Sequence, residues 1–188
     1  FRNKAKTEHF QKLYQSKIHL KRIFKEPVER ISTEFDSGTA ADLDGPIENL
    51  IVSTKTYQTR DALLPYLQFI NKDTNILLVQ NGLGVPEELY THVWPSVTER
   101  PNLYQGVINH GAFISTREGS NEYEISHSGD ADFFIGRFPR DLEGVPSTTD
   151  EVPPLFIQQL VDAKALKTSF LAYQDLLLIQ LKKFAVNA

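Results

Sequence analysis

The stretch NILLVQNGLGVPEELY, Asn75 to Tyr90, runs from an apolar block through Asn-Gly-Leu-Gly into a segment with helical spacing. A short apolar run bounded by turn residues predicts a buried strand. Asn81 tolerates a left-handed backbone, and Gly82 and Gly84 let a ligand approach the main chain closely. Pro86 and Glu87 suit the first turn of a helix. The same letters also fit a plain turn. They are not the G-x-G-x-x-G dinucleotide fingerprint, which occurs nowhere in the chain.

The flanking sequence decides between these readings. IENLIVST, upstream, is apolar and rich in β-formers, so it predicts another buried strand. YQTRDALLPYLQFI places Ala62, Leu63, Tyr66, Leu67 and Ile70 at helical spacing, with Pro65 in the first turns, where proline does least harm. Strand, helix, strand, helix implies parallel crossovers with helices packed on the sheet, the pattern of a doubly wound α/β domain. Lys55, in IVSTKTYQT, then falls where a parallel strand ends, and open α/β sheets bind ligands beyond those carboxyl ends. A lysine there can hold a phosphate or hydrogen-bond a ribose, or it can simply be solvated.

Outside this unit, NKAKTEHFQKLYQ reads as a helix, and KIHLKRIF and VERISTEF as two strands around Glu26-Pro27. STEFDSGTAADLDGP is a polar loop. After Pro101, LYQGVINHGAFIS, EYEISHS and ADFFIGRF read as three strands that finish the sheet in a more antiparallel manner. EGVPSTTDEVPP is a proline-rich linker, and PLFIQQLVDAKAL and SFLAYQDLLLIQLKKFAVNA are two helices. The expected organisation is a partial dinucleotide-binding domain over residues 1–142 and a linker over 143–154. Residues 155–188 are then helices leading into a helical domain not present in the chain.

The composition, 40% hydrophobic and 23% charged over 188 residues, is that of a globular domain with a sizeable core. No apolar run nears the roughly 20 residues needed to span a bilayer. The chain has no cysteine, which excludes disulfides, thiolate ligands and cysteine nucleophiles. A cytoplasmic or mitochondrial setting agrees with that. The chain begins at Phe1 rather than Met, and reads as a fragment. Residues 1–30 carry nine Lys and Arg against three acids, and residues 31–188 carry eleven against twenty-one. A basic end can attract phosphates, nucleic acid or an acidic partner, or it can be a solvated helix followed by a lysine-protected edge strand.

Lys183 and Asn187 sit four apart on the last helix and so share a face, with Tyr173, Leu177, Leu181 and Phe184 to one side. A lysine on a partly apolar cleft wall can have its charge tuned by desolvation and act as a proton donor. The alternative is a solvated pair of lysines. His110 lies among small residues, but no Asp or Ser at suggestive spacing completes a triad, and the five histidines form no metal-ligand pattern. The aromatic residues do not make an RNA-binding signature.

Taken together, ENLIVSTKTYQTRDALLPYL, NILLVQNGLG, YQGVINHGAF and YQDLLLIQLKKFAVNA, in that order, resemble the ketopantoate reductase (2-dehydropantoate 2-reductase) family, its fungal branch above all. The resemblance covers roughly residues 1–110 and 169–188 and is loose between them. It implies a Rossmann-like doubly wound sheet, incomplete at its N-terminus, followed by the first helix of a helical C-terminal domain. It also implies NADPH-dependent reduction of 2-dehydropantoate to pantoate, on the route to pantothenate and coenzyme A.

By the same resemblance Arg2 meets the 2′-phosphate of NADPH, a role suited to a guanidinium fork. Lys55 and Gln58 line the cofactor cleft, and Asn81, with Gly82 beside it, lies near the nicotinamide and its ribose. Lys183 is the catalytic lysine, and Asn187 holds the substrate. The implied partners are a small 2-keto acid and a second copy in a homodimer, with neither membrane nor nucleic acid. The rival expectation is a reductase-like fold reused as a protein- or RNA-binding module, its basic first thirty residues the contact surface. The Gly-rich loop and the rest of the helical domain are not in the sequence, so the fragment alone is expected to be inactive.

Overall fold

A computed structural model describes residues 4–117, 119, 122–141 and 152–187. Arg2 and most of the expected linker, residues 143–151, lie outside the described residues. The chain divides into two compact units: residues 1–44 with 109–131, and residues 45–108 with 132–188.

The second unit holds the quoted stretch. Its five-stranded sheet has the order β3 (Asn49–Val52), β4 (Asn75–Leu78), β5 (Asn102–Ile108), β8 (Phe133–Arg137), β9 (Thr168–Leu171). β3, β4 and β5 run parallel in register, Val52 opposite Leu78 and Leu78 opposite Gln105. β8 runs antiparallel to β5, and β9 parallel to β8. This is the α/β fold expected from the alternating elements. Successive β4 side chains point to opposite faces, which gives the sheet two cores. Ile76 and Leu78 join Leu89, Tyr90 and Trp94 from α3 (Val85–His92) and its end, with Leu103. On the other face Leu77 joins Tyr104, Phe133, Ile135 and Ile157, the last from α4 (Leu155–Asp162).

In this unit three elements differ from expectation. The helix of YQTRDALLPYLQFI is α2, Thr59–Leu63, flanked by 3-10 turns at Thr56–Gln58 and Leu64–Phe69. Pro65 has no N–H to give and crowds the carbonyl four residues back, so the α-helical ladder does not continue past it. β3 is an edge strand with Ile51 52% exposed, not a buried one. The run SFLAYQDLLL does not begin as helix: Lys167 takes a left-handed backbone, Thr168–Leu171 add β9 to the sheet, and α5 spans Tyr173–Asn187. Apolar residues alone cannot distinguish a strand entering a helix from one longer helix.

The first unit has the sheet β2 (Glu29–Glu34), β1 (Lys17–Arg22), β7 (Tyr123–Gly129), β6 (Gly111–Thr116), preceded by α1 (Lys4–Tyr14). LYQGVINHGAFIS is therefore not one strand but two, β5 and β6, in different units. The lysine-bearing strand β1 is interior, between β2 and β7, rather than at an edge. Its cations are answered across the ladder: Lys17 by Glu34 at 3.6 Å, Lys21 by Glu124 at 3.8 Å, and Arg22 by Glu29 at 3.0 Å. Glu34 and Glu124 come from outside residues 1–30, so part of that segment's excess positive charge is neutralised inside this unit. Among the described residues no helix is long and apolar enough to cross a membrane, and no three His, Asp or Glu side chains are grouped to hold a metal ion.

Candidate active site

β4 delivers the Asn-Gly-Leu-Gly turn to the carboxyl edge of the parallel strands. Gly82 has φ +118° and Gly84 φ +85°, both left-handed conformations that a side chain would strain. A Cβ on Gly82 would meet the Thr56 methyl at 3.2 Å, so this glycine also lets the turns after β3 and β4 come together. Gly84 caps α3, and nothing surrounds its Cβ position. Gln80 ties the same two turns: its Nε2 donates to the hydroxyl of Thr54 at 3.1 Å and to that of Thr59.

A cavity of about 270 Å³ opens at this edge, lined by Gln80, Asn81, Gly82, Leu83, Gly106, Val107, Gln180, Lys183 and Phe184. Two segments of β-sheet edge and one helix thus enclose it. Gly106 is required by the sheet: a Cβ there would lie 2.7 Å from the Phe133 ring. α5 supplies the third wall, turning Leu176 (0% exposed) and Gln180 (8% exposed) inward, with Lys183 half-buried after them. Leu178, Leu181 and Phe184 are exposed.

The Lys183 ammonium donates to the main-chain carbonyl of Ile108, at the end of β5. Burial pushes its pKa below the ordinary lysine value, because desolvation penalises the charged form. Among the described residues no carboxylate forms an ion pair with it to oppose that shift. The site therefore offers a cation whose proton is held less firmly than a solvated lysine's, beside exposed Asn81 and the amide of Gln180.

Of the residues read from the sequence, Asn81, Gly82 and Lys183 meet in this cavity. Lys55 and Gln58 are not in its wall. Lys55 is exposed, at the head of the turn after β3, and its carbonyl accepts from the Gln58 N–H at 2.9 Å. Asn187 is in the last turn of α5, four residues beyond Lys183. Gln80, Gln180, Gly106 and Val107 were not anticipated. Gln180 had a signal, a single amide within LLLIQL three residues before Lys183 and so on its face.

The profile of the family described as ketopantoate reductase PanE/ApbA matches residues 4–140. The chain is 35% identical over 198 residues to the 2-dehydropantoate 2-reductase of Saccharomyces cerevisiae, covering all of this chain and 51% of that protein. It is 33% identical over 189 residues to the "Probable 2-dehydropantoate 2-reductase" of Schizosaccharomyces pombe, covering all of this chain and 52% of that one. The chain thus spans about half the length of the curated relatives it matches. Among solved structures, that of the "Probable 2-dehydropantoate 2-reductase panE" of Bacillus subtilis superposes with a TM-score of 0.53 at 19% identity, over 90% of this chain and 48% of the other. By the profile match over most of its length, the chain belongs to the ketopantoate reductase PanE/ApbA family.

Proposed function

We propose that a protein of the relatives' full length containing this chain reduces a small 2-keto acid, 2-dehydropantoate, at the expense of NADPH. The observation that carries the reading is the half-buried Lys183 ammonium in one cavity with Asn81, at the carboxyl edge of parallel strands. Open α/β sheets bind their ligands at that edge. The unpaired side-chain oxygen of Gln80 and the exposed Asn81 suit the hydroxyl- and amide-bearing end of a nicotinamide nucleotide. Asn81 and Gly82 would hold that end, with Lys55 and Gln58 lining the cleft and Arg2 meeting the 2′-phosphate, as the family resemblance implies. The domain organisation belongs to the same proposal: residues 1–142 cofactor-binding, 143–154 linker, 155–188 leading into a helical substrate domain.

NADPH, when bound, supplies the hydride that reaches the keto carbon. As that carbon is reduced, charge builds on its oxygen. Lys183 stabilises the charge by its own positive charge and donates the proton that converts alkoxide to hydroxyl. Desolvation makes the donation easier by lowering the pKa of the ammonium. Leu83, Val107 and Phe184 line the same cavity with apolar surface. Asn187, one turn further along α5, would orient the keto acid.

The test is thermal denaturation of the full-length protein with and without NADPH. At a concentration one hundred times the dissociation constant, the ligand should add about 2.7 kcal/mol of stability. No shift at millimolar NADPH, together with no keto-acid-dependent NADPH oxidation, would sink the proposal.

A further inference from the structure

Among the described residues, six buried side-chain polar atoms lack a hydrogen-bond partner. Two of these, Oε1 of Gln80 and Oε1 of Gln180, belong to the nine residues lining the cavity. An unpaired buried carbonyl costs stability, so two of them among the residues around one cavity mark a place shaped for a polar ligand. Gln80 has a separate structural duty, since its Nε2 holds the turns after β3 and β4 together. No such bond accounts for the oxygen of Gln180, which is 8% exposed and follows the fully buried Leu176 by one helical turn.

The chemistry of that oxygen narrows what it would meet. It can only accept a hydrogen bond. A simple 2-keto acid anion presents acceptors alone, a keto oxygen and two carboxylate oxygens, and those are matched by Lys183 and by amide N–H groups. A hydroxyl on the same small molecule is the donor that Gln180 lacks. Gln180 precedes Lys183 by three residues, so the two are neighbours on one helix face with Cβ atoms about 5–6 Å apart. That spacing suits a molecule with its hydroxyl a few bonds from its keto group. The terminal torsion of glutamine is broad, so rotation about it can present the oxygen to the cavity that Gln180 lines. Between them Val107, Leu83 and Phe184 offer apolar surface for a branched hydrocarbon.

We propose that Gln180 is a specificity-determining residue, whose side-chain carbonyl accepts a hydrogen bond from the hydroxyl of a hydroxylated 2-keto acid while Lys183 holds the keto oxygen. This rests on the reductase reading and adds what selects among keto acids. A site built to bond a hydroxyl rejects analogues that lack it far more strongly than an apolar pocket rejects a missing methylene.

The experiment compares kcat/KM of the full-length protein, with NADPH, for 2-dehydropantoate and for 3,3-dimethyl-2-oxobutanoate, which has the same carbon skeleton without the hydroxyl. The wild type should prefer the hydroxylated acid, and Gln180→Leu should compress that preference by about 10- to 100-fold. The loss should fall mainly on 2-dehydropantoate, and the ratio of the two kcat/KM values is the readout. Should Gln180→Leu fail to fold, Gln180→Met is measured in its place and the same ratio decides. If both rates fall together and the ratio stays, Gln180 is structural only and the inference is overturned while the reductase reading stands. If the wild type reduces neither acid, the reductase reading itself is overturned, and this inference with it.

Discussion

The ammonium of Lys183, in α5, is hydrogen-bonded to the main-chain carbonyl of Ile108, 75 residues earlier at the end of β5. This bond ties the second half of α5 to the end of β5, and Lys183 lines the cavity beside it. A carbonyl partner leaves the lysine its proton, whereas a carboxylate would hold that proton more tightly. The lysine is thereby fixed in place and its charge made easier to discharge.

If Lys183 is the proton donor, Lys183→Ala in the full-length protein should lower kcat by about 10²- to 10⁴-fold, the usual scale of general acid catalysis. Binding of NADPH should change far less, since the proposed cofactor contacts Lys55, Gln58, Asn81 and Gly82 lie on the turns that follow β3 and β4. Steady-state kinetics and a cofactor titration on one preparation separate the two. An unchanged kcat would remove Lys183 from the mechanism.

The pH dependence follows from the same burial. In the proposed mechanism protonated Lys183 is the active form, and its pKa is pushed below the ordinary value of 10.5. Activity should therefore be full on the acid side of that lowered pKa and fall as pH rises through it, earlier than for a solvated lysine. The limb should disappear in Lys183→Arg, whose guanidinium does not deprotonate in this range. A kcat/KM profile with the same alkaline limb in the variant would assign the limb to another group.

Gly106 tests the packing behind the cavity. A Cβ there would sit 2.7 Å from Phe133 Cε2, 3.2 Å from its Cζ and 3.3 Å from Val79 Cγ1, all from side chains packed in or against the core on that face. Gly106→Ala should cost about 1–3 kcal/mol, the range for overpacking a core. Phe133→Leu in the same chain should recover part of the loss by vacating the ring. Urea denaturation of the single and double variants measures both, and strict additivity of the two costs would contradict the clash.

The parallel half of the sheet was legible because local chemistry and hydrophobic pattern agree there: apolar Asn75–Leu78, left-handed glycines, then proline and glutamate at the head of α3. Lys183 and Asn81 could be named because a motif and a helix face point at them. Other features were settled by long-range contacts that carry no sequence mark. LYQGVINHGAFIS reads as one β-rich run, yet the chain leaves one sheet after Ile108 and enters another at Gly111. Thr168–Leu171 becomes a strand only because β8 offers a free edge. Gln180 looked like one polar residue in an apolar helix. Its meaning comes from β4 and β5, which bring Gln80, Asn81 and Gly106 opposite it.

The histidines of the first unit make the last prediction. His110 Nδ1 lies 3.0 Å from His127 Nε2, which is also 3.0 Å from the carbonyl of Gly129, and Phe24 stacks edge-on against the His127 ring. Burial, foremost, lowers the pKa of His127; His110 and Arg22 lower it further, and the Gly129 carbonyl and Asp130 oppose them. With the folded pKa below the unfolded value of about 6.5, the unfolded chain binds the proton more readily. Stability is then greatest above that value and declines as pH falls from it through the folded pKa. The urea midpoint should drop between pH 7.5 and pH 5 more steeply in the wild type than in His127→Phe, which keeps an aromatic ring beside Phe24 without the titrating nitrogens. Equal slopes for the two proteins would show that His127 carries none of the acid sensitivity.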